Sequence, residues 1–265
     1  MYILSFINSI LAYIRFIRDL KYYFTVKNYK TDHGFNLWLQ NKPKNKYLVD
    51  KVETDIIKKY INKVEIFLDI GANIGFFTVF SKLKNKKLIT YSIEPHPFNF
   101  KILKKNISQF KFKNSHILNF AISDKNQSQK LYGHGQGASL INNWGGIKTL
   151  HRTVAAKTLD TVFSYKLKNY KNLFIKIDVE GKEYEVLKGS DNILNKKCVI
   201  MFENGVKKNF VNKNKNFMKI FKLLISNKYK IYNLGNLNKK LDIKALKKIY
   251  NMEKELNNIN YLAIK

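Results

Sequence analysis

Twelve consecutive residues, Phe67-Leu68-Asp69-Ile70-Gly71-Ala72-Asn73-Ile74-Gly75-Phe76-Phe77-Thr78, constrain this chain more than any other stretch. The apolar run 64–70 is short enough to be a strand buried on both faces. Gly71 and Gly75 bracket a tight turn, and residues 76–83 resume helical spacing. A strand, a glycine turn and a helix start form a place where backbone approaches a ligand closely. Asp69 ends the strand beside that turn. A second acid, Glu94, stands at the tail of the apolar run 88–93. Its distance from Gly75 is close to the roughly 20 residues after which nucleotide folds set a carboxylate on ribose hydroxyls. The turn is not a G-x-G-x-x-G pattern. Taken alone, it is also compatible with a strand-to-helix turn that binds nothing.

The rest of the chain keeps the same rhythm. Val52, Ile56, Ile57, Tyr60 and Ile61 mark a short amphipathic helix over 52–62. Pro95 and Pro97 stop the second strand, and a helix over 98–109 and a strand over 115–122 follow, closed by Ser123-Asp124. A helix over 158–165 precedes a fourth strand, Leu173 to Asp178, running into Val179-Glu180-Gly181 and a helix over 182–188. A fifth strand (198–204), a helix (217–226), a strand (230–234), a helix (242–256) and a last strand (260–265) complete the pattern. Alternation of this kind calls for a largely parallel sheet covered on both faces. The 265 residues fit one sizeable core, here over 52–265, with no repeats.

Residues 1–51 read as an appendage. Ile3, Phe6, Ile10, Tyr13, Ile17 and Leu20 recur at three- and four-residue spacing, which predicts a helix with one apolar face. No basic residue precedes the apolar part and no small-residue cleavage site follows, unlike a signal peptide. Arg15 interrupts the run before the roughly 18 apolar residues of a membrane span. Three readings stay open for 1–26: packing on the domain, a homodimer contact, or lying on a membrane surface with Arg15, Arg18 and Lys21 at the headgroups. Residues 27–51, with Gly34 and Pro43, read as a connection with little regular structure.

The formal charge of +30 attracts anions. Arg occurs only at 15, 18 and 152, and the lysines travel with Asn, Ile, Phe and Tyr, the residues of A/T-rich codons. Nucleic-acid readers lean on Arg for bidentate contacts, and these lysines are scattered, so no nucleic-acid partner is expected. The single cysteine, Cys198, lies in an apolar run, which fits a core residue in a reducing, cytoplasmic setting. Acids number only 19. Asp69, Glu94, Asp124, Asp178, Glu180 and Glu203 all fall at or just beyond strand ends. In parallel sheets ligands collect at that rim, and neighbouring strands lie about 4.8 Å apart, so Asp69, Glu94, Asp178 and Glu203, which end the first, second, fourth and fifth strands, can face one pocket.

Residues 125–157 break the rhythm. Lys130-Leu131-Tyr132 and Ala138-Ser139-Leu140 flank Gly133-His134-Gly135-Gln136-Gly137 like a hairpin, followed by Trp144-Gly145-Gly146 and His151-Arg152. Such an insertion is a place for substrate recognition, or else a decorated surface hairpin. His134 between glycines is as compatible with a turn as with catalysis.

The turn 69–75, Glu94-Pro95, Thr158-Leu159-Asp160, and above all Ile177-Asp178-Val179-Glu180-Gly181-Lys182-Glu183 with Leu187-Lys188-Gly189 resemble the FkbM family of S-adenosylmethionine-dependent methyltransferases. The resemblance covers about residues 64–205. Lys182 departs from it, standing where the family usually has a small residue. It implies an α/β, Rossmann-like class I methyltransferase sheet of about seven mostly parallel strands with helices on both faces. The first strand would neighbour the second and fourth, with the fifth beside the fourth. It also implies S-adenosylmethionine as cofactor and a hydroxyl of a sugar or polyketide as acceptor. Gly71, Asn73 and Gly75 would line the methionine part, with Asp69 and Ala72 in the same turn. Glu94 would hold the ribose, and Phe120, Ala121 and Asp124 would sit near the adenine.

An alcohol must shed a proton as it is methylated, so a carboxylate within reach helps. Asp178 or Glu180 is the expected base, with Glu203 nearby, since crowded carboxylates raise one pKa. Glu180 capping its own helix is the bland alternative. A magnesium ion on Asp178 and Glu203 is compatible with oxygen ligands but is not expected. Arg152 is expected to clamp a diphosphate or carboxylate, and Trp144 to stack on a sugar ring. The expected acceptor is therefore a sugar hydroxyl on an anionic carrier, a nucleotide-sugar or surface (capsular) glycan precursor. Two rivals are a nucleic-acid methyltransferase, against which stands the lack of an Asn/Asp-Pro-Pro-Tyr-type loop after the fourth strand, and a non-catalytic membrane-surface binding protein. The expected location is cytoplasmic, with the inner membrane face as an option.

Overall fold

The computed structural model describes residues 10, 13, 14, 17, 21, 24–39, 51–133, 137–144, 150–206, 214–252 and 258–265. In chain order the strands are β1 (Lys27–Lys30), β2 (Asn36–Leu39), β3 (Ile66–Ile70), β4 (Ile89–Ile93), β5 (Ser115–Leu118), β6 (Ala121–Ile122), β7 (Gln127–Tyr132), β8 (His151–Lys157), β9 (Asn172–Ile177), β10 (Lys197–Glu203), β11 (Lys230–Asn233), β12 (Asn236–Leu241) and β13 (Asn260–Ile264). The helices are α1 (Lys51–Tyr60), α2 (Phe76–Lys84), α3 (Pro97–Ser108), α4 (Leu159–Phe163), α5 (Glu183–Lys188), α6 (Asp191–Leu194), α7 (Phe217–Ser226) and α8 (Ile243–Met252).

The main sheet runs in the spatial order β12-β11-β13-β10-β9-β3-β4-β5. Strand β3 pairs in parallel with β4 on one side and β9 on the other, and β10 continues in parallel beside β9. This is the neighbour order that the resemblance implies. The far edge, β13, β11 and β12, is antiparallel. The sheet has eight strands where about seven are expected. The additional one, β12, reads Asn-Leu-Asn-Lys-Lys-Leu and is mostly exposed. Lysine-laden edges of this kind discourage pairing with another chain, and they leave almost no apolar alternation to detect.

Burial sorts the side chains by strand period. Ile66, Leu68 and Ile70 of β3 enter the core beneath α4 to α7, whereas Phe67 enters the core shared with α1 to α3. Helix α7 buries Phe217, Ile220, Phe221 and Leu224, the one-sided spacing of an amphipathic helix. Cys198 is a buried core residue whose thiol is pushed up to about 11 by burial.

Three expectations need correction. Residues 27–39 are not a featureless connection. β1 and β2 form an antiparallel hairpin whose turn uses Gly34 at φ +84°. Phe35, Leu37 and Leu39 are buried against the core of α2 and α3, and Asn106 holds the backbone of Trp38 through two hydrogen bonds of 2.7 and 3.0 Å. Strands of four residues carry too little alternation to be recognised. The strand expected over 115–122 also breaks. β5 stays in the main sheet, while β6 leaves it to pair with β8, which pairs with β7 in a small separate sheet. The side-chain amide of Asn119 donates to the carbonyls of Glu94 and Pro95 at that break. The hairpin expected within the insertion shrinks to a single bridge, Tyr132 to Ser139, because β7 takes β8 as its partner.

The described positions of the N-terminal segment, 10, 13, 14, 17, 21 and 24, are helical, and Ile10, Tyr13, Ile14 and Ile17 are exposed. At these positions the apolar face does not pack on the domain. No helix among the described residues is long and apolar enough to cross a membrane.

If the hairpin belongs to the core, Leu37→Ala should cost about 2–5 kcal/mol of stability, read from the denaturant midpoint at unchanged slope. A loss below about 0.5 kcal/mol, the range of surface substitutions, would show the hairpin to be peripheral.

Candidate active site at the carboxyl ends of the strands

Strands β3, β4 and β9 end at one place. The amides of Gly71 and Ala72 both donate to the carbonyl of Ile93, at 2.9 and 3.0 Å. Gly71 has φ +77°, and a Cβ there would stand 1.8 Å from the carbonyl oxygen of Asp178. Only glycine lets the first turn close on the end of β9. Asn73 follows in the left-handed region, at φ +51°, which aims its amide at Glu94 Oε2, 2.9 Å away. The other Glu94 oxygen accepts from the His96 amide at 2.8 Å and the Asn99 side chain at 3.4 Å. Burial pushes the Glu94 carboxyl up to about 7 against these three bonds.

A cavity of about 250 Å³ opens over this rim. Of the residues singled out in the sequence, Gly71, Ala72, Asn73, Glu94, Phe120 and Ala121 line it, and so do Asp178 and Glu180. The others stand elsewhere. Asp69 lies beneath the turn, fully buried, with one oxygen accepting from Thr78 at 2.7 Å and the other without a hydrogen-bond partner among the described residues. Gly75, at φ +89°, opens α2. Asp124 pairs with Lys188 at 2.9 Å, which holds its carboxyl below the usual range. Arg152 stands 6.0 Å from the Phe98 ring centroid rather than in the cavity. Trp144 is buried and faces Glu180. Glu203 is not among the residues that line the cavity, and His134 falls outside the described residues.

Lysine 176, one among 49 basic residues and invisible in the sequence for that reason, lies at the centre. Its side chain is buried, its ammonium is 3.0 Å from Asp178 Oδ2, and it sits 4.8 Å from the Phe77 ring centroid. Burial alone would lower its pKa, but Asp178 and Asp69 raise it above the ordinary lysine value. Around this one cation the carboxylates crowd. Burial, reinforced by Asp178, pushes Glu180 up to about 7. Burial with Asp178, Glu183 and Glu180 pushes Glu203 up to about 9. Glu183 is pushed by burial up to about 8 although its Oε1 accepts from the amides of Val179 and Gly181, both at 3.2 Å. Glu183, not Glu180, thus ties the loop to α5. Among the described residues no group of three or more His, Cys, Asp or Glu side chains is arranged to hold a metal ion.

Glu180 itself has φ +55°, which for a non-glycine residue costs about 1–3 kcal/mol and persists only where neighbours enforce it. Those neighbours come from the insertion. Ser139 Oγ donates to the Glu180 carbonyl at 2.7 Å, and Trp144 Nε1 donates to Glu180 Oε2 at 3.0 Å. Leu131, Ala138 and Leu140 of the same segment give the cavity an apolar wall. By contrast, Asp160, part of the pattern that suggested the family, is structural. Its carboxylate accepts from the amides of Asn192 and Ile193 and starts α6.

The family model described as methyltransferase FkbM domain matches residues 69–231. A search of curated protein sequences gives no match. Among solved structures, a methyltransferase FkbM from Methylobacillus flagellatus is 14% identical with a TM-score of 0.47, covering 78% of this chain. This chain spans only 50% of that protein's length. An O-methyltransferase from Bacillus cereus is 12% identical with a TM-score of 0.46, covering 82% of this chain and 81% of its own. An rRNA methylase from Streptococcus thermophilus is 12% identical with a TM-score of 0.41, covering 80% and 92%. Likenesses of this size carry no argument about chemistry.

Glu180, Glu183 and Glu203 bind a proton more tightly folded than unfolded, since each is raised from an ordinary value of 4.5. Their contribution to stability is therefore full below about pH 4.5 and is lost as pH rises through 7 to 9. Unfolding midpoints measured from pH 5 to 9 should fall, and Glu203→Gln should flatten the fall. An unchanged slope in that variant would contradict the assignment.

Proposed function

This chain belongs to the methyltransferase FkbM family, and we propose that it is an S-adenosylmethionine-dependent O-methyltransferase acting on a sugar hydroxyl of a nucleotide-sugar or surface-glycan precursor. The observation that carries this reading is that the glycine turn and Glu94 share one cavity with Asp178 and Glu180. When bound, the cofactor supplies a methyl group on a positively charged sulfur. The residues present suit such a group. Asn73 Oδ1 is a buried acceptor without a hydrogen-bond partner among the described residues. Glu94, fixed by three N–H donors, would take the ribose hydroxyls, and Phe120 with Ala121 would border the adenine.

The protein's share of the chemistry is to aim a hydroxyl and take its proton. Glu180 is preferred to Asp178 because Asp178 is ion-paired with the Lys176 ammonium, whereas Glu180 accepts from the neutral Trp144 indole. At about 7, the Glu180 carboxyl is ionised in part at neutral pH and still basic enough to accept a proton. Glu203, at about 9, stays protonated there and does not compete. Lys176, beside both acids, tempers the repulsion between them. The apolar wall of Leu131, Ala138 and Leu140 suits the uncharged part of an acceptor. An anionic carrier would then lie outside the cavity, on the side of Arg152.

The test is methyl transfer from S-adenosylmethionine to a panel of nucleotide-sugars, read by mass spectrometry. Glu180→Gln should lower turnover by about 10²–10⁴-fold while calorimetric affinity for the cofactor holds. In the wild type kcat/KM should rise with pH through about 7, as Glu180 loses its proton. Near-normal turnover in both Glu180→Gln and Asp178→Asn would remove the base assignment, and no product from any nucleotide-sugar would remove the acceptor class.

A further inference from the structure

Glu180 is held at both its backbone and its carboxylate by side chains that are remote in sequence, and we propose that Trp144, supported by Ser139, is a positioning residue that aims the Glu180 carboxylate at the acceptor. This rests on the reading of Glu180 as the base.

The loop that carries Glu180 does not supply its restraints. Glu183 binds the amides on either side, those of Val179 and Gly181, and leaves the Glu180 carbonyl and carboxylate to others. Both go to the insertion, 41 and 36 residues upstream, through Ser139 and Trp144. Ser139 is itself fixed, because its backbone exchanges two hydrogen bonds with Tyr132, at 2.8 and 3.0 Å, and its hydroxyl accepts from the Ile141 amide at 2.9 Å.

Gly181 completes the fit. Its φ is +96°, and a Cβ there would stand 2.6 Å from two carbons of the Trp144 ring and 2.9 Å from Ile141. The glycine that follows Glu180 thus leaves room for the indole. With 8% of its surface exposed and its ring against Gly181, Trp144 is not disposed to stack on a sugar, as the sequence had suggested. An indole N–H can only donate. It occupies Oε2 and leaves Oε1 for an incoming hydroxyl, and it favours the ionised carboxylate.

The groups facing Glu180 are few enough to state the sign. Burial and Asp178 favour its protonated form, whereas the Trp144 donor and Lys176 favour the ionised one. Glu203 and Glu183 complete the cluster from β10 and α5. Replacing the indole by a ring without a donor therefore shifts the titration of Glu180 upward. A role confined to packing shifts nothing, since Phe fills much of the same space.

The chain has two tryptophans, Trp38 and Trp144. In a Trp38→Phe background the emission of Trp144 reports its own surroundings. It should change between pH 5 and 9 with a midpoint near 7, and the change should vanish on adding Glu180→Gln, which keeps an acceptor but does not titrate. In the whole 265-residue chain, Trp144→Phe should move the acidic limb of kcat/KM for nucleotide-sugar methylation upward and lower its plateau by about tenfold. Emission that is flat with pH, or that titrates equally in Glu180→Gln, overturns the proposal. So does a Trp144→Phe profile with an unmoved midpoint. If the emission titrates as expected while Glu180→Gln keeps full turnover, the contact stands and the base reading fails instead.

Discussion

Gly71 meets the backbone of Asp178 so closely that no side chain fits between them. That approach joins the end of β3 to the end of β9, as the bonds from Gly71 and Ala72 to Ile93 join it to β4. Three strand ends are thereby brought to one rim. The loops beyond them carry Asn73, Glu94, Asp178 and Glu180, so the sides of the cavity proposed for cofactor and for acceptor are two consequences of one junction. A methyl transferase needs both within a few ångströms, because in-line displacement tolerates little misplacement.

The electrostatics follow from burial at the same place. Asp69, Asp178, Glu53, Glu180 and Glu203 all act electrostatically with one buried ammonium, that of Lys176, and Glu183 stands against Asp178 and Glu203 in the same cluster. One cation cannot offset so many acids in a low-dielectric site, so the surplus is relieved by protonation. The result is a graded set, with Glu180 poised near neutrality and Glu203 well above it. Among the described residues that line the cavity, Lys176 is the lone lysine or arginine, against a formal charge of +30 for the chain as a whole.

Much of this was legible in the sequence, and the parts that were not share a cause. The Gly71 turn and the run from Ile177 to Glu183 announce themselves because glycine and acid are scarce elsewhere in the chain. Period-two and helical spacing located most elements of the main sheet. The hairpin of β1 and β2 and the edge strand β12 escaped because a strand of four residues, or one loaded with lysine, shows no period. Lys176 escaped because composition hides one functional lysine among many. Trp144 was noticed but given the wrong neighbour, since no local pattern tells an indole that faces a ligand from one that faces Glu180. Side-chain direction across 36 residues of sequence is set by tertiary packing alone.

The junction of three strand ends makes one demand that a single structure can meet or refuse. A crystal grown with S-adenosylhomocysteine should show the ribose hydroxyls on Glu94, the amino-acid portion over Gly71 to Asn73, and the sulfur facing the Glu180 carboxylate across the cavity. A ligand seated away from that turn, or with its sulfur turned from Glu180, would contradict the account.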